Sequence, residues 1–248
     1  MSGGDWRVLS ARQTAPIDQR WFEVVNRSRT GAIAAIRSGI PAVRPRPWHE
    51  DRSGLETIFG LTAATHCFDE PPHGWAHLLE PQITRGFVHF LNEGDGQRRS
   101  ARCLSFVRAA LACSPRSRPI PQGWQPTGAV AEAEENRIDI LVELTDGHRR
   151  FGAAIEAKFG HKLTRGQLEK AEDHVTDRKG RHWDAARSAF LVIAPLTQRI
   201  DRKLLARRPN WYAASWWAFL NRLEREIGES DDCRDYRRFR RTVWYRSY

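Results

Sequence analysis

Residues 136–168 read NRIDILVELTDGHRRFGAAIEAKFGHKLTRGQL, and this stretch decides the fold. Ile138, Ile140, Val142 and Leu144 alternate with Asp139, Leu141 and Glu143, the period-two pattern of a strand. Asp146-Gly147 is a hairpin signal, because glycine accepts the positive φ that a two-residue turn requires. Arg149 to Phe159 then returns antiparallel. With Thr145 facing His148, Asp139 falls opposite Ala154 and Arg137 opposite Glu156. Paired residues share a face, so Asp139, Glu156 and Lys158 project the same way. Asp139 and Glu156 are then diagonal neighbours, roughly 7–8 Å apart at the backbone, close enough for their side chains to converge on one cation.

Lys158 is unusual in its context. Of 40 Lys and Arg residues only five are lysines, at 158, 162, 170, 179 and 203. A compact ammonium two residues after Glu156 suits work on a water molecule better than a planar guanidinium does. An isolated Glu-x-Lys is most often a surface ion pair, but here the pattern is longer. Asp139, then Glu156-Ala157-Lys158 at the end of the next strand, then Gln167 on the following helix, resembles the PD-(D/E)XK nuclease superfamily over roughly residues 75–195. The sequence departs from the pattern in two places. Ile138, not proline, precedes Asp139, and Ala171 stands where a tyrosine sometimes follows the glutamine.

The resemblance implies a restriction-endonuclease-like αβββαβ core, an α/β fold with a mixed central sheet flanked by helices. It further implies a phosphodiester hydrolase acting on DNA and leaving 5′-phosphate ends. Asp139 and Glu156 would bind Mg²⁺ or Mn²⁺ with the carbonyl of Ala157 as a third ligand. Lys158 would orient or deprotonate the attacking water, and Gln167 would position the water, the lysine or the substrate. Glu80, on the helix before the sheet, looks like the acidic residue that many members aim at the same site. As an acidic residue at a helix N-terminus it also has a plain structural reading, and Glu70 is the weaker candidate.

The rest of the chain sets bounds. Its 248 residues are 40% hydrophobic, enough for one large domain, and no apolar run is long enough to span a bilayer. Residues 1–10 lack the apolar segment of a signal peptide. The four cysteines, at 67, 103, 113 and 233, form no C-x-x-C pair, so a reduced, cytoplasmic setting is expected. A net charge of +10 favours a polyanionic partner. Because the charge is spread over several segments, nucleic acid is expected ahead of a membrane surface. His66, Cys67, His73 and His77 have the ligand types of a zinc site, but their spacing matches no known finger, and a plain loop is the better reading.

Periodicity places helices at Trp21–Ile40 and Gly54–Ala64 around a proline-rich arm with Arg44, Arg46 and Trp48. Further helices are expected at 80–93, 97–112 and 164–174, and strands at 129–134 and 188–194. In the 97–112 helix Arg98, Arg99, Arg102 and Arg108 lie off the apolar side. After residue 198 a short strand starting at Trp211 passes into an amphipathic helix, with its tryptophans mostly in the core. The expected organisation is an N-terminal helical extension (1–74), the core (75–195) and a Trp/Arg-rich extension of the same domain (196–248). Arg237, Arg238, Arg240 and Arg241, with Lys162, are candidate nucleic-acid contacts. The enzyme reading carries an expected role in restriction or anti-phage defence, as a homodimer or beside a partner protein. Its alternative is a catalytically silent nucleic-acid-binding or scaffold subunit of such a complex.

Overall fold

The computed structural model describes Cys67, Glu70 and residues 78–135, 138–164, 166–177, 181–195, 198 and 200–247, with Arg202 described in its backbone alone. The helices expected near 21–40 and 54–64, and the histidines of the zinc reading, lie outside the described residues. Helix α1 spans Glu80–Asn92, with Pro81 in its first turn and Ile83, Thr84, Phe87 and Leu91 buried. Helix α2, Gly96–Ala112, begins where the Asp95 carboxylate accepts the Arg98 N–H at 2.8 Å. The five strands that follow lie side by side in chain order: β1 (Gly128–Glu135), β2 (Ile138–Thr145), β3 (Arg150–Ala157), β4 (Ala189–Ala194) and β5 (Trp211–Ser215). β1, β2 and β3 are antiparallel neighbours. β4 and β5 join in parallel, reached through α3 (Gln167–Thr176) and the short α4 (Arg202–Ala206). Parallel neighbours need crossovers of this kind. The result is a mixed sheet flanked by helices, the expected α/β restriction-endonuclease-like fold.

The hairpin differs in detail from the expected one. Its loop holds four residues, Asp146 to Arg149, and Thr145 pairs with Arg150. The cause is local. The Asp146 carboxylate accepts the N–H groups of His148 (3.0 Å) and Arg149 (2.8 Å), stabilising a longer turn than Asp-Gly alone would make. The register therefore slides by two positions. A two-residue slide preserves which face each side chain takes. One step beyond the last pair, Ile140 with Ile155, it sets Asp139 level with Glu156, where Ala154 was expected.

Each face of the sheet carries its own core. On one face Ile140, Val142, Leu144, Ala153, Ile155, Leu191 and Ile193 pack under α1, α2, α5 (Trp216–Glu226) and α6 (Arg234–Arg246). On the other, Leu141, Ala154, Phe190 and Val192 meet Leu168, Ala171 and Val175 of α3, with Trp183 and Trp211. Ala171 is buried against this second face, so a tyrosine there has no room without repacking. Arg102, expected off the apolar side of its helix, is instead buried. Its guanidinium donates to the carbonyls of Phe90 (2.7 Å) and Asp231 and to the Glu93 carboxylate (3.0 Å), tying α2 to α1 and to the turn before α6. No helix among the described residues is long and apolar enough to cross a membrane.

Candidate active site

The second face of the sheet changes character where β3 ends. Its inner positions include Leu141, Ala154, Phe190 and Val192, but at this end they are Asp139 on β2 and Glu156 on β3. Lys158 follows immediately, and its N–H donates to the Ile193 carbonyl at 2.8 Å, continuing the parallel ladder one step past β3. Five side chains meet here. The Lys158 ammonium bonds Glu156 Oε1 and stands 3.6 Å from Glu80 Oε1 and 3.8 Å from Asp139 Oδ2. Gln167, at the start of α3, donates from Nε2 to the same Glu156 oxygen. The Gln167 Oε1 in turn accepts the Thr164 hydroxyl at 3.0 Å, which fixes the amide's orientation.

Backbone donors hold the other two acids. Asp139 Oδ2 accepts the Ala157 N–H at 2.8 Å, and Glu80 Oε2 accepts the Phe159 N–H at 2.9 Å. Glu80 thus ties the N-terminus of α1 to the end of β3, and the exposed His161 ring stands 3.4 Å from its Oε2. The loop after Phe159 turns at Gly160, whose φ of +104° favours glycine. Gln198 clamps that turn: its Oε1 accepts the Gly160 N–H at 2.8 Å and its Nε2 donates to the His161 carbonyl at 2.7 Å.

Charge is out of balance in this cluster. Three carboxyl groups face one ammonium, so with all three ionised two negative charges would be in excess. Glu156 is 1% exposed, and its Oε2 is buried without an N–H or O–H partner. Burial, reinforced by the charge of Asp139, pushes the Glu156 carboxyl up to about 8. Burial also raises Asp139 above the usual carboxylate range, against the pull of Lys158 and the Ala157 N–H. For Lys158 burial acts downward, but Glu156, Asp139 and Glu80 outweigh it, and its ammonium is held more firmly than a free lysine's. Two close buried carboxyls resist ionising together, so both are shifted toward the protonated form.

All six residues singled out for the chemistry, Glu80, Asp139, Glu156, Ala157, Lys158 and Gln167, therefore lie at one point. The nucleic-acid candidates do not form one surface. Lys162 is exposed on the β3–α3 loop. Arg240 is fully buried: it donates to both Glu224 oxygens (2.6 and 3.2 Å) and both Asp232 oxygens (2.9 Å each) and lies over the Tyr236 ring. Arg241 is buried as well. Neither is free to contact a nucleic acid: Glu224 and Asp232 enclose the Arg240 guanidinium, and Arg241 is buried beside it in the same helix. Arg237 and Arg238 are half-buried, and Arg237 leans toward Asp232 and Glu70. Glu70 itself pairs at 3.1 Å with Arg234, the first residue of α6. Cys67 is buried, and its backbone N–H donates to Glu224 at 2.7 Å.

His161 and Gln198 were not singled out from the sequence. Thr164-x-x-Gln167, a capping-box spacing, was the one local signal that this loop is ordered around the glutamine. Gln198 acts across a crossover and left no such trace.

The arrangement of two β-strand acids, a lysine and a helix glutamine is that of a PD-(D/E)XK nuclease. A model of the PD-(D/E)XK nuclease superfamily matches residues 82–236, more than half of the chain, and the protein belongs to that superfamily. Comparison with curated proteins and with solved structures finds no match for the chain. Glu80 lies just outside the matched residues, so its place rests on geometry.

Proposed function

We propose that this protein is a metal-dependent nuclease that hydrolyses phosphodiester bonds in DNA. The observation that carries the reading is Glu156: a buried carboxylate with one oxygen held by Lys158 and Gln167 and the other meeting no donor. Such a group is costly unless a cation is to share it. The donor set fits Mg²⁺ or Mn²⁺. Asp139, Glu156 and the Ala157 carbonyl offer hard oxygens, and with all three carboxyls ionised the excess of two negative charges equals what one divalent ion neutralises. Among the described residues no group of three or more His, Cys, Asp and Glu side chains can hold an ion by itself. Mg²⁺ keeps several waters and borrows phosphate oxygens, so two carboxylates and a carbonyl are enough protein ligands. When bound, the ion supplies charge neutralisation at the phosphate and a more acidic water.

The chain's own residues do the rest. Asp139 is fixed by the Ala157 N–H and Glu156 by Gln167, so neither carboxylate must reorganise when substrate arrives. Lys158 is protonated in the resting cluster. Two residues past Glu156, its ammonium would face the attacking water and the charge that develops on the phosphate. Its contribution is then made in the transition state and less in the ground state. Glu80 holds the Phe159 N–H and thereby the position of Lys158 beside it. Incubating the purified protein with plasmid, single-stranded DNA and RNA, each with Mg²⁺, Mn²⁺ or EDTA, tests the reading. Cleavage of DNA that EDTA abolishes supports it. Absence of cleavage of every substrate with either metal refutes it.

A further inference from the structure

The helix that closes the described chain brings a cation to the rim of this site. α6 runs antiparallel to α1. Tyr236 stacks on Phe90 with centroids 5.0 Å apart, and Phe239 meets Phe87 at 5.0 Å and Phe90 at 5.3 Å. A Cβ at Gly86 would lie 2.4 Å from the Phe239 ring, so glycine there permits the close crossing. As α6 advances from 236 to 239, its contacts on α1 step back from Phe90 toward Gly86, in the direction of Glu80. The last residue of α6 is Arg246, and its guanidinium carbon stands 5.7 Å from the centre of the Phe159 ring.

Phe159 is a fixed platform. It follows Lys158 directly, its N–H is held by Glu80, and its ring stacks on the buried Trp216 with centroids 5.1 Å apart and planes 23° from parallel. Arg246 is exposed. Among the described residues it has no carboxylate within ion-pair distance, whereas Arg85, Arg181, Arg208, Arg234 and Arg240 each have one. A polyanion approaching three carboxylates needs a compensating charge beside them, and a guanidinium already seated on a ring loses less freedom when it takes a phosphate.

We propose that Arg246 is a substrate-binding residue that holds a backbone phosphate of DNA beside the bond to be cut. This rests on the nuclease reading above and adds a residue beyond the span of the superfamily match.

The test is binding of a short fluorescein-labelled DNA duplex, followed by anisotropy at several salt concentrations. Arg246→Ala and Arg246→Lys are compared with the parent arginine in an Asp139→Asn background that leaves the duplex intact. Cleavage kinetics are run in the background with Asp139 retained. Arg246→Ala should weaken binding by about 5–20-fold at low salt and reduce the slope of log K against log salt by about 0.9, the loss of one phosphate contact. Arg246→Lys should recover part of the affinity and nearly all of the slope, because it restores the charge without the fork. In cleavage, KM should rise by more than kcat falls. Unchanged affinity and slope in Arg246→Ala, in a protein whose Asp139-bearing form cuts DNA, would overturn this inference and leave the nuclease reading standing. A parent that neither binds nor cuts DNA would overturn both.

Discussion

Replacing Glu156 by glutamine should remove catalysis and stabilise the metal-free protein, two effects that a merely structural glutamate would not combine. Glutamine keeps the volume of the protonated carboxyl and accepts the same bonds from Lys158 and Gln167. In the folded protein burial and Asp139 lift the Glu156 carboxyl from its usual 4.5 to about 8. Each tenfold rise in proton affinity corresponds to roughly 1.4 kcal/mol, so ionising Glu156 in place costs up to about 5 kcal/mol above pH 8. The sign follows from linkage: a carboxyl that binds its proton more tightly when folded contributes most stability below pH 4.5. That contribution is lost as pH rises toward 8 and changes no further beyond it. Glutamine escapes the loss. Because Asp139 is raised along with it and Lys158 loses a charged partner, a net gain of about 1–3 kcal/mol is expected at pH 8 in EDTA. For a chain of this size that is about 3–10 °C in Tm. Thermal melts of parent and Glu156→Gln at pH 5 and pH 8, each with EDTA and with Mg²⁺, give the answer. The variant should melt higher at pH 8 in EDTA and gain little at pH 5, while Mg²⁺ should raise the Tm of the parent alone. A Glu156→Gln protein that melts below the parent at pH 8 in EDTA would refute the reasoning, since Lys158 would then outweigh burial.

Lys158→Ala should lower kcat by about 100-fold or more while changing DNA affinity by less than about threefold, as expected of a group acting in the transition state; equal losses in both would make it a binding residue. Glu80→Gln still accepts the Phe159 N–H, so its Tm should shift by less than about 1 kcal/mol allows, while half-maximal cleavage should need more Mg²⁺. Metal titrations beside melts check this, and an unchanged titration would reduce Glu80 to a structural tie. Arg240→Ala leaves Glu224 and Asp232 buried without the guanidinium between them, which should cost about 3–5 kcal/mol in a denaturant titration; a selective loss of DNA affinity in a stable protein would contradict the burial described here.

Where the sequence carried information, it was carried by short-range patterns. The alternation around Asp139 and the Asp146-Gly147 turn were enough to put Asp139, Glu156 and Lys158 on one face, because parity survives a two-residue slide of register. The slide itself was not legible, since it depends on the Asp146 carboxylate choosing the N–H groups of His148 and Arg149. Helix α1 and the start of β5 were visible as periodicity, and Glu80 as an acidic residue at a helix N-terminus. What failed were the arginines. In a chain with so many, nothing local separates Arg102 and Arg240, whose partners lie outside their own helices, from Arg246, which ends beside Phe159 because α6 crosses α1 at Gly86. Gln198 was invisible for the same reason: its two bonds reach the far side of a crossover connection.

The most direct test of the central claim is the cleavage of DNA by the parent protein and by Asp139→Asn across a Mg²⁺ titration. The parent should cut in proportion to metal and stop in EDTA. Asp139→Asn, folded to the same degree by circular dichroism, should not cut at any Mg²⁺ concentration. Equal cleavage by the two proteins, or cleavage by the parent that EDTA leaves untouched, would contradict the account.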